Sequence, residues 1–156
     1  MATFTRAADD FVKAAEADIE VSTDGGSTWD EYVGYSVTIS STSTAVDTVE
    51  FKSLDARTEI VDAGGDPTES ITMGIIFTKE NAGSLYKLLF DKARASDKSV
   101  DIRWSRKDAA TGEPRFTTSS GKCTNCPSAP FDADNTGIVR VDVTIEAASV
   151  ALDSVP

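Results

Sequence analysis

A two-residue rhythm constrains this chain more than any other feature. Tyr35, Val37 and Ile39 alternate with Ser36, Thr38 and Ser40, and Val49 and Phe51 alternate with Thr48, Glu50 and Lys52. Ile71, Met73, Ile75 and Phe77 share one parity against Thr72, Gly74, Ile76 and Thr78. Val100, Ile102 and Trp104 oppose Asp101, Arg103 and Ser105, and a last run sets Val139, Val141, Val143 and Ile145 against Arg140, Asp142, Thr144 and Glu146. Side chains alternate between the faces of a strand, so each run carries one apolar and one polar face. Such strands build antiparallel sheets packed on one side. The expected fold is mainly β: an antiparallel two-sheet sandwich or barrel with one flanking α-helix. The chain holds 17 Ser and 18 Thr in 156 residues, which gives the polar strand faces many hydroxyls. That length suits a single domain, 1–156.

One segment breaks the rhythm. From Glu80 to Ala95, Ala82, Leu85, Tyr86, Leu88, Leu89 and Ala93 recur at helical spacing. Thr78 is the expected N-cap, Glu80 places negative charge at the positive end of the dipole, and Lys92 and Arg94 lie near the other end. Residues 1–17 read as an N-terminal arm or a short helix, since Ala7 to Ala17 carries a weak helical pattern with Phe11 and Ala14 or Ala15 on one side. Asp24-Gly25-Gly26-Ser27 reads as a hairpin turn. Residues 53–69, which include Asp62, Gly64, Gly65, Asp66 and Pro67, read as a long loop of the kind that is often functional.

Composition removes several function classes. The chain has no histidine, which excludes His-dependent acid–base catalysis and His-ligated metals. Its net charge of -11 disfavours sequence-reading contact with free nucleic acid. The charge is uneven: -11 over residues 1–86, +3 over 87–115 and -3 over 116–156. It fits an ordinary acidic protein, and equally a self-associating subunit whose basic patch meets an acidic patch on a neighbour. No apolar run approaches the roughly 20 residues of a membrane-spanning helix, and the charged N-terminus lacks the apolar stretch of a secretory signal.

Three short motifs have modest readings. Ser22-x-Asp24-x-Gly26-x-Thr28-Trp29 fits the Asp-box of sialidase-type propellers, where it is structural; here it occurs once and reads as a hairpin with a packed Trp. Cys123-Thr-Asn-Cys126 lacks the further ligands of a structural zinc site and reads as two reduced thiols, with a disulfide or a metal shared between subunits as alternatives. Asp132-x-Asp134-x-Thr136-Gly137 imitates half of an EF-hand loop, but Val143 stands where the bidentate Glu is required, so it reads as a polar turn. No arrangement of carboxylates forms an acid–base pair. The reading is therefore of a non-enzyme with no cofactor and no metal.

Ser99-Val-Asp-Ile-Arg-Trp-Ser105, then the turn at Thr111-Gly112, then Arg115-Phe-Thr-Thr118 followed by Gly121, resembles the tail tube (major tail) proteins of long-tailed, siphovirus-type bacteriophages and of related gene transfer agents. The resemblance extends in element order over roughly residues 18–148, from the Ile19–Trp29 hairpin to the Val139–Ala147 strand. It implies two packed sheets with a flanking helix, and a structural virion protein whose hexameric rings stack into a hollow tube. In such tubes the sheets of neighbouring subunits join as a continuous barrel that conducts DNA, and the tape-measure protein, from capsid to host cell. The implied partners are further copies of the chain, the tape-measure protein, and tail terminator and distal tail proteins. DNA would pass without sequence-specific binding and without membrane insertion, in a virion tail assembled in the host cytoplasm.

A lumen that lets DNA slide must avoid phosphate-neutralising cations, so an acidic or hydroxyl-coated wall is expected. Thr48, Glu50, Thr72, Asp142, Thr144 and Glu146 are candidates for it, with an outward solvated face as the alternative for each. The 53–69 stretch, through Asp62, Gly64, Gly65, Asp66 and Pro67, is the candidate for reaching the next ring. A carbohydrate- or surface-binding β-sandwich module is the competing function, supported by the Asp-box string and the Ser/Thr-rich strands.

Overall fold

A computed structural model of the chain describes residues 17–32, 36–43, 48–52, 58–62, 68–78, 84–131 and 137–156; for residues 36–37, 48–52 and 58–62 it describes the backbone alone. In chain order these residues form β1 (Ala17–Ser22), β2 (Asp30–Glu31), β3 (Ser36–Ser43), β4 (Thr48–Lys52), β5 (Thr58–Asp62), β6 (Glu69–Ile76), α1 (Leu85–Arg94), β7 (Asp101–Arg106), β8 (Pro114–Ser119), β9 (Lys122–Asn125), β10 (Arg140–Ala147) and β11 (Ser149–Ser154). A five-stranded sheet has the order β11-β8-β7-β1-β2, a four-stranded sheet has the order β3-β6-β10-β9, and β4 and β5 pair as a separate ribbon. All pairings are antiparallel. Among the described residues the sheets do not close on themselves, so the sandwich form holds and the closed barrel does not.

The alternation drives this arrangement. Ile71, Met73 and Ile75 of β6 and Val143 and Ile145 of β10 are fully buried and face Ile19 and Ile102 of the other sheet. Burying each such side chain contributes roughly 1.5–3 kcal/mol. β6 and β10 hold the longest continuous register, eight pairs from Arg140↔Ile76 to Ala147↔Glu69. Leu85 and Leu89 of α1 complete the same core.

Three sequence expectations change. The helix starts at Leu85, and its N-cap is Ser84, whose hydroxyl accepts from the Lys87 N–H at 3.2 Å; Thr78 lies ahead of that boundary. No acid occupies the first turn, while Lys92 and Arg94 do sit in the last. The stretch read as the 53–69 loop contains β5, whose Thr58-Glu-Ile-Val-Asp62 run pairs residue for residue with β4; a short β-branched run beside glycines conceals a strand in an otherwise polar stretch. Finally, strand structure continues past Ala147: the chain bends at Ala148 and crosses to the five-stranded sheet as β11 against β8. The N-terminal arm, residues 63–67 and residues 132–136 lie outside the described residues.

Candidate assembly surfaces

The outer face of the four-stranded sheet gathers four of the six residues expected to form a wall. Thr72 and Thr144 are direct cross-strand partners, Asp142 lies opposite Gly74, and Glu146 lies opposite Ser70, whose hydroxyl donates to Glu146 Oε1 at 2.8 Å. Direct partners share a face, so β3 extends this surface with exposed Ser40 against Thr72 and Thr42 against Ser70. Thr48 and Glu50 are not part of it; they lie on β4, in the separate ribbon. Of the residues expected to reach a neighbouring ring, Asp62 ends β5, and Gly64, Gly65, Asp66 and Pro67 lie outside the described residues. Lys122 stands opposite Glu146, and Arg140 occupies the same parity of β10 as Asp142. Two cations thus balance two carboxylates, and the described face is hydroxyl-rich and charge-balanced instead of acidic. Of its outer strands, β3 has a free edge among the described residues, whereas β9 is bridged on its outer side by residues 98–100: Ser99 pairs with Lys122, and the Cys123 N–H donates to the Lys98 carbonyl at 2.9 Å.

The outer face of the five-stranded sheet is built differently. Glu20 and Arg103 are cross-strand partners joined by two hydrogen bonds, one of them Nη2 to Oε1 at 2.6 Å. The Arg103 guanidinium lies over the Trp29 ring, 4.4 Å from its centroid. Trp29 is positioned by the Asp-box turn. Asp24 Oδ1 accepts from the N–H groups of Ser27 and Thr28 at 3.0 and 2.9 Å, and its Oδ2 accepts from the Thr28 hydroxyl at 2.7 Å. Gly25 and Gly26 take positive φ, the region where glycine is least strained. The Trp29 indole N–H donates to the Gly26 carbonyl at 3.0 Å. Chiefly the Thr28 N–H, with the Thr28 and Ser22 hydroxyls, holds the Asp24 carboxyl down to about 2. The motif reading, a hairpin with a packed Trp, therefore holds.

Asp101 departs from the alternation. Parity places it on the polar outer face, yet it is buried at 8% exposure. Its Oδ1 accepts from the Gly121 N–H at 2.8 Å and from the Thr118 hydroxyl at 3.3 Å, and that hydroxyl in turn accepts from the Ile102 N–H at 2.8 Å. A Cβ on Gly121 would stand 2.2 Å from the Val100 carbonyl oxygen, so only glycine fits. Four residues of the family-like wording, Asp101, Ile102, Thr118 and Gly121, are thus one polar knot tying β7, β8 and the start of β9. Two more, Trp104 and Phe116, are stacked with ring centroids 5.4 Å apart. These strings mark how the sheet is tied.

Both cysteines are free and buried. β9 ends at Asn125, which lets Cys126 turn inward although strand parity alone would send it away from Cys123. Burial pushes the thiols up, to about 11 for Cys123 and about 12 for Cys126. The segment after β9 is strapped to the helix by the Tyr86 hydroxyl, which donates to the Pro127 carbonyl and accepts from the Ala129 N–H.

An open cleft of about 900 Å³ lies between the Asp-box turn and the β8–β9 corner. Its carboxylates are already engaged. Asp24 caps its turn, Asp101 holds the knot, and Asp97 accepts from the Ser99 N–H and from Lys92 Nζ. Hydrogen bonds from Ser99, and then from Lys92, bring the Asp97 carboxyl down to about 2. Among the described residues no group of three or more Asp, Glu or Cys could hold a metal ion, and no helix is long and apolar enough to cross a membrane.

Two packed antiparallel sheets and a flanking helix define a β-sandwich with one hydroxyl-rich outer face. No family model matches the chain, and no curated protein matches it in sequence. In three dimensions it superposes on a chain of the PVC extracellular contractile injection system, from the sheath/tube terminator in the extended state, with a TM-score of 0.69 and 17% identity over 94% of this chain and 99% of that one. A chain from the virion of a native gene transfer agent particle gives 0.56 and 12% over 94% and 100%, and a chain of the SPP1 tail tube gives 0.59 and 9% over 92% and 79%. The chain has the tail-tube fold.

Proposed function

We propose that this chain is the structural, non-catalytic subunit of a phage-type tail tube, in which hexameric rings of it stack into a hollow conduit for DNA and the tape-measure protein. It resides in the particle's tail and meets terminator and distal tail proteins at the tube ends. The observation that carries this reading is the superposition, nearly end to end on both chains, with a chain of the sheath/tube terminator assembly. The open β3 edge supports it, because unpaired backbone groups at the border of a sheet are what strand pairing between neighbouring subunits of a ring requires.

The hydroxyl face carrying Thr72, Asp142, Thr144 and Glu146 is the wall of the channel. Short hydroxyls hold water without presenting cations to phosphate. Lys122 and Arg140 share the face with carboxylates, which limits counterion release when DNA passes. The β4–β5 ribbon and the residues 63–67 that follow it reach the next ring.

Electron microscopy of purified protein tests the reading: rings or hollow rods are expected, with the β6–β10 outer face on the channel in a helical reconstruction. Protein that stays as single copies at every concentration and salt overturns the tube, and a channel lined by another face overturns the wall. Deleting residues 62–67 is expected to leave a folded chain that no longer polymerises.

A further inference from the structure

One apolar row crosses four strands of the five-stranded sheet. Ile19, Trp104, Phe116 and Leu152 are successive cross-strand partners and so share the core-facing side. Exposure rises along the row, from 0% at Ile19 to 41% at Phe116 and 67% at Leu152. The core therefore runs out into solvent at β11. β11 is also the outermost strand of that sheet, and no second strand lies beside it among the described residues.

The edges of this sheet are guarded unequally. β2, at the opposite border, is two residues long and consists of Asp30 and Glu31. β11 has six residues in unbroken register with β8, no proline, no lysine and one acid, Asp153. Short length, bulges, proline and charge are the devices that keep edges from pairing. β11 lacks nearly all of them.

We propose that β11 is a docking edge for a second copy of this chain, which adds its own β11 antiparallel across a twofold axis at Ala151. The backbone sets which groups face outward. The Val155 N–H donates to the Glu113 carbonyl, and the Val155 carbonyl accepts from the Gly112 N–H, so Val155 turns towards β8. Alternation then directs the backbone groups of Val150, Leu152 and Ser154 to the open side. Centring the pair on Ala151 sets Val150 against the second copy's Leu152, and Leu152 against its Val150, as hydrogen-bonded pairs with apolar side chains on the same face. Ser149 then meets Asp153, and Ala151 meets itself in a pair without hydrogen bonds. No carboxylate faces a carboxylate. This self-complementarity argues for a second copy over an unrelated strand, and such an isologous contact closes at two copies. It leaves the β3 edge free, so it is independent of the tube reading.

The test is a cysteine at the axis. In a pair without hydrogen bonds the Cα atoms approach to about 4.5 Å, within disulfide range. Ala151→Cys is expected to cross-link to a species of twice the chain mass under mild oxidation. The unmodified chain should show a concentration-dependent dimer by analytical ultracentrifugation, and Leu152→Lys should abolish it while leaving the circular dichroism spectrum unchanged. An Ala151→Cys chain that stays uncross-linked, or a dimer indifferent to Leu152→Lys, overturns the proposal. The same samples viewed by electron microscopy report separately on rings and rods.

Discussion

The two sheets share one folding rule and dress their outer faces in opposite ways. On the four-stranded sheet the outward positions of β3, β6 and β10 are mostly short hydroxyls, and Gly74 lets Thr38 and Asp142 close over β6. On the five-stranded sheet long charged side chains lie in fixed stacks, with Glu20 on Arg103 and Arg103 on Trp29, and one carboxylate, Asp101, is buried beneath the β8–β9 corner and ties three strands together. Alternation decides which side of a strand is buried. It does not decide whether the other side is a smooth carpet or a set of locked contacts. The first suits a surface past which something slides; the second suits a surface that must keep its shape.

That contrast can be broken most sharply at the two glycines. Gly121→Ala in the five-stranded sheet's knot is expected to cost about 3 kcal/mol, because the new methyl meets the Val100 backbone, which cannot turn away. Gly74→Ala in the other sheet meets the Thr38 hydroxyl at 2.6 Å, and about 1 kcal/mol is expected, with recovery in a Gly74→Ala, Thr38→Ala double variant. Equal losses in urea titrations would erase the distinction. Asp101→Ala leaves the buried Gly121 N–H without its acceptor and should cost about 2 kcal/mol. Arg103→Ala removes a partly exposed ion pair and the cation over Trp29; about 1 kcal/mol is expected, by the same titration.

A smaller effect comes from acid. The Asp24 and Asp97 carboxyls lie near 2 in the folded chain against an ordinary 3.8. Groups lowered in this way contribute stability in full above about pH 4, and that contribution is lost as pH falls through about 2. An acid titration followed by near-ultraviolet circular dichroism should show the Asp-box side loosening nearer pH 2 than pH 4, with Asp24→Asn removing that step. Smallest of all, Thr144→Val on the hydroxyl carpet should change stability by no more than about 0.5 kcal/mol. A larger loss would mean that the carpet is itself a locked network.

Most of the strand content was legible, because burial on one side leaves a two-residue imprint: β6, β7 and β10 fall where Ile71–Ile75, Val100–Trp104 and Val141–Ile145 alternate. β11 was missed since its outward half is solvent-exposed at an edge, which leaves Val150 and Leu152 too little contrast. The helix was legible by its stripe but its start was not, since Thr78 and Ser84 are equally good hydroxyl caps and only the fold selects one. Four wall candidates were placed together because they share parity on strands that pair, whereas Thr48 and Glu50 share the same pattern on a strand that pairs elsewhere. Parity is local and pairing is not. The burial of Asp101 could be suspected only from the nearby Gly121, whose need for a close approach no periodicity reports.

The chain's two tryptophans fall on opposite sides of the same sheet: Trp29 beneath the Arg103 guanidinium, and Trp104, the next residue in β7, stacked on Phe116 in the row that leads to β11. A cation held against one indole and an aromatic ring against the other give the pair distinct optical surroundings. Replacing either with phenylalanine leaves a single tryptophan, so intrinsic fluorescence excited beyond the absorption of the three tyrosines can follow the hairpin and the sheet border separately, with no dye attached.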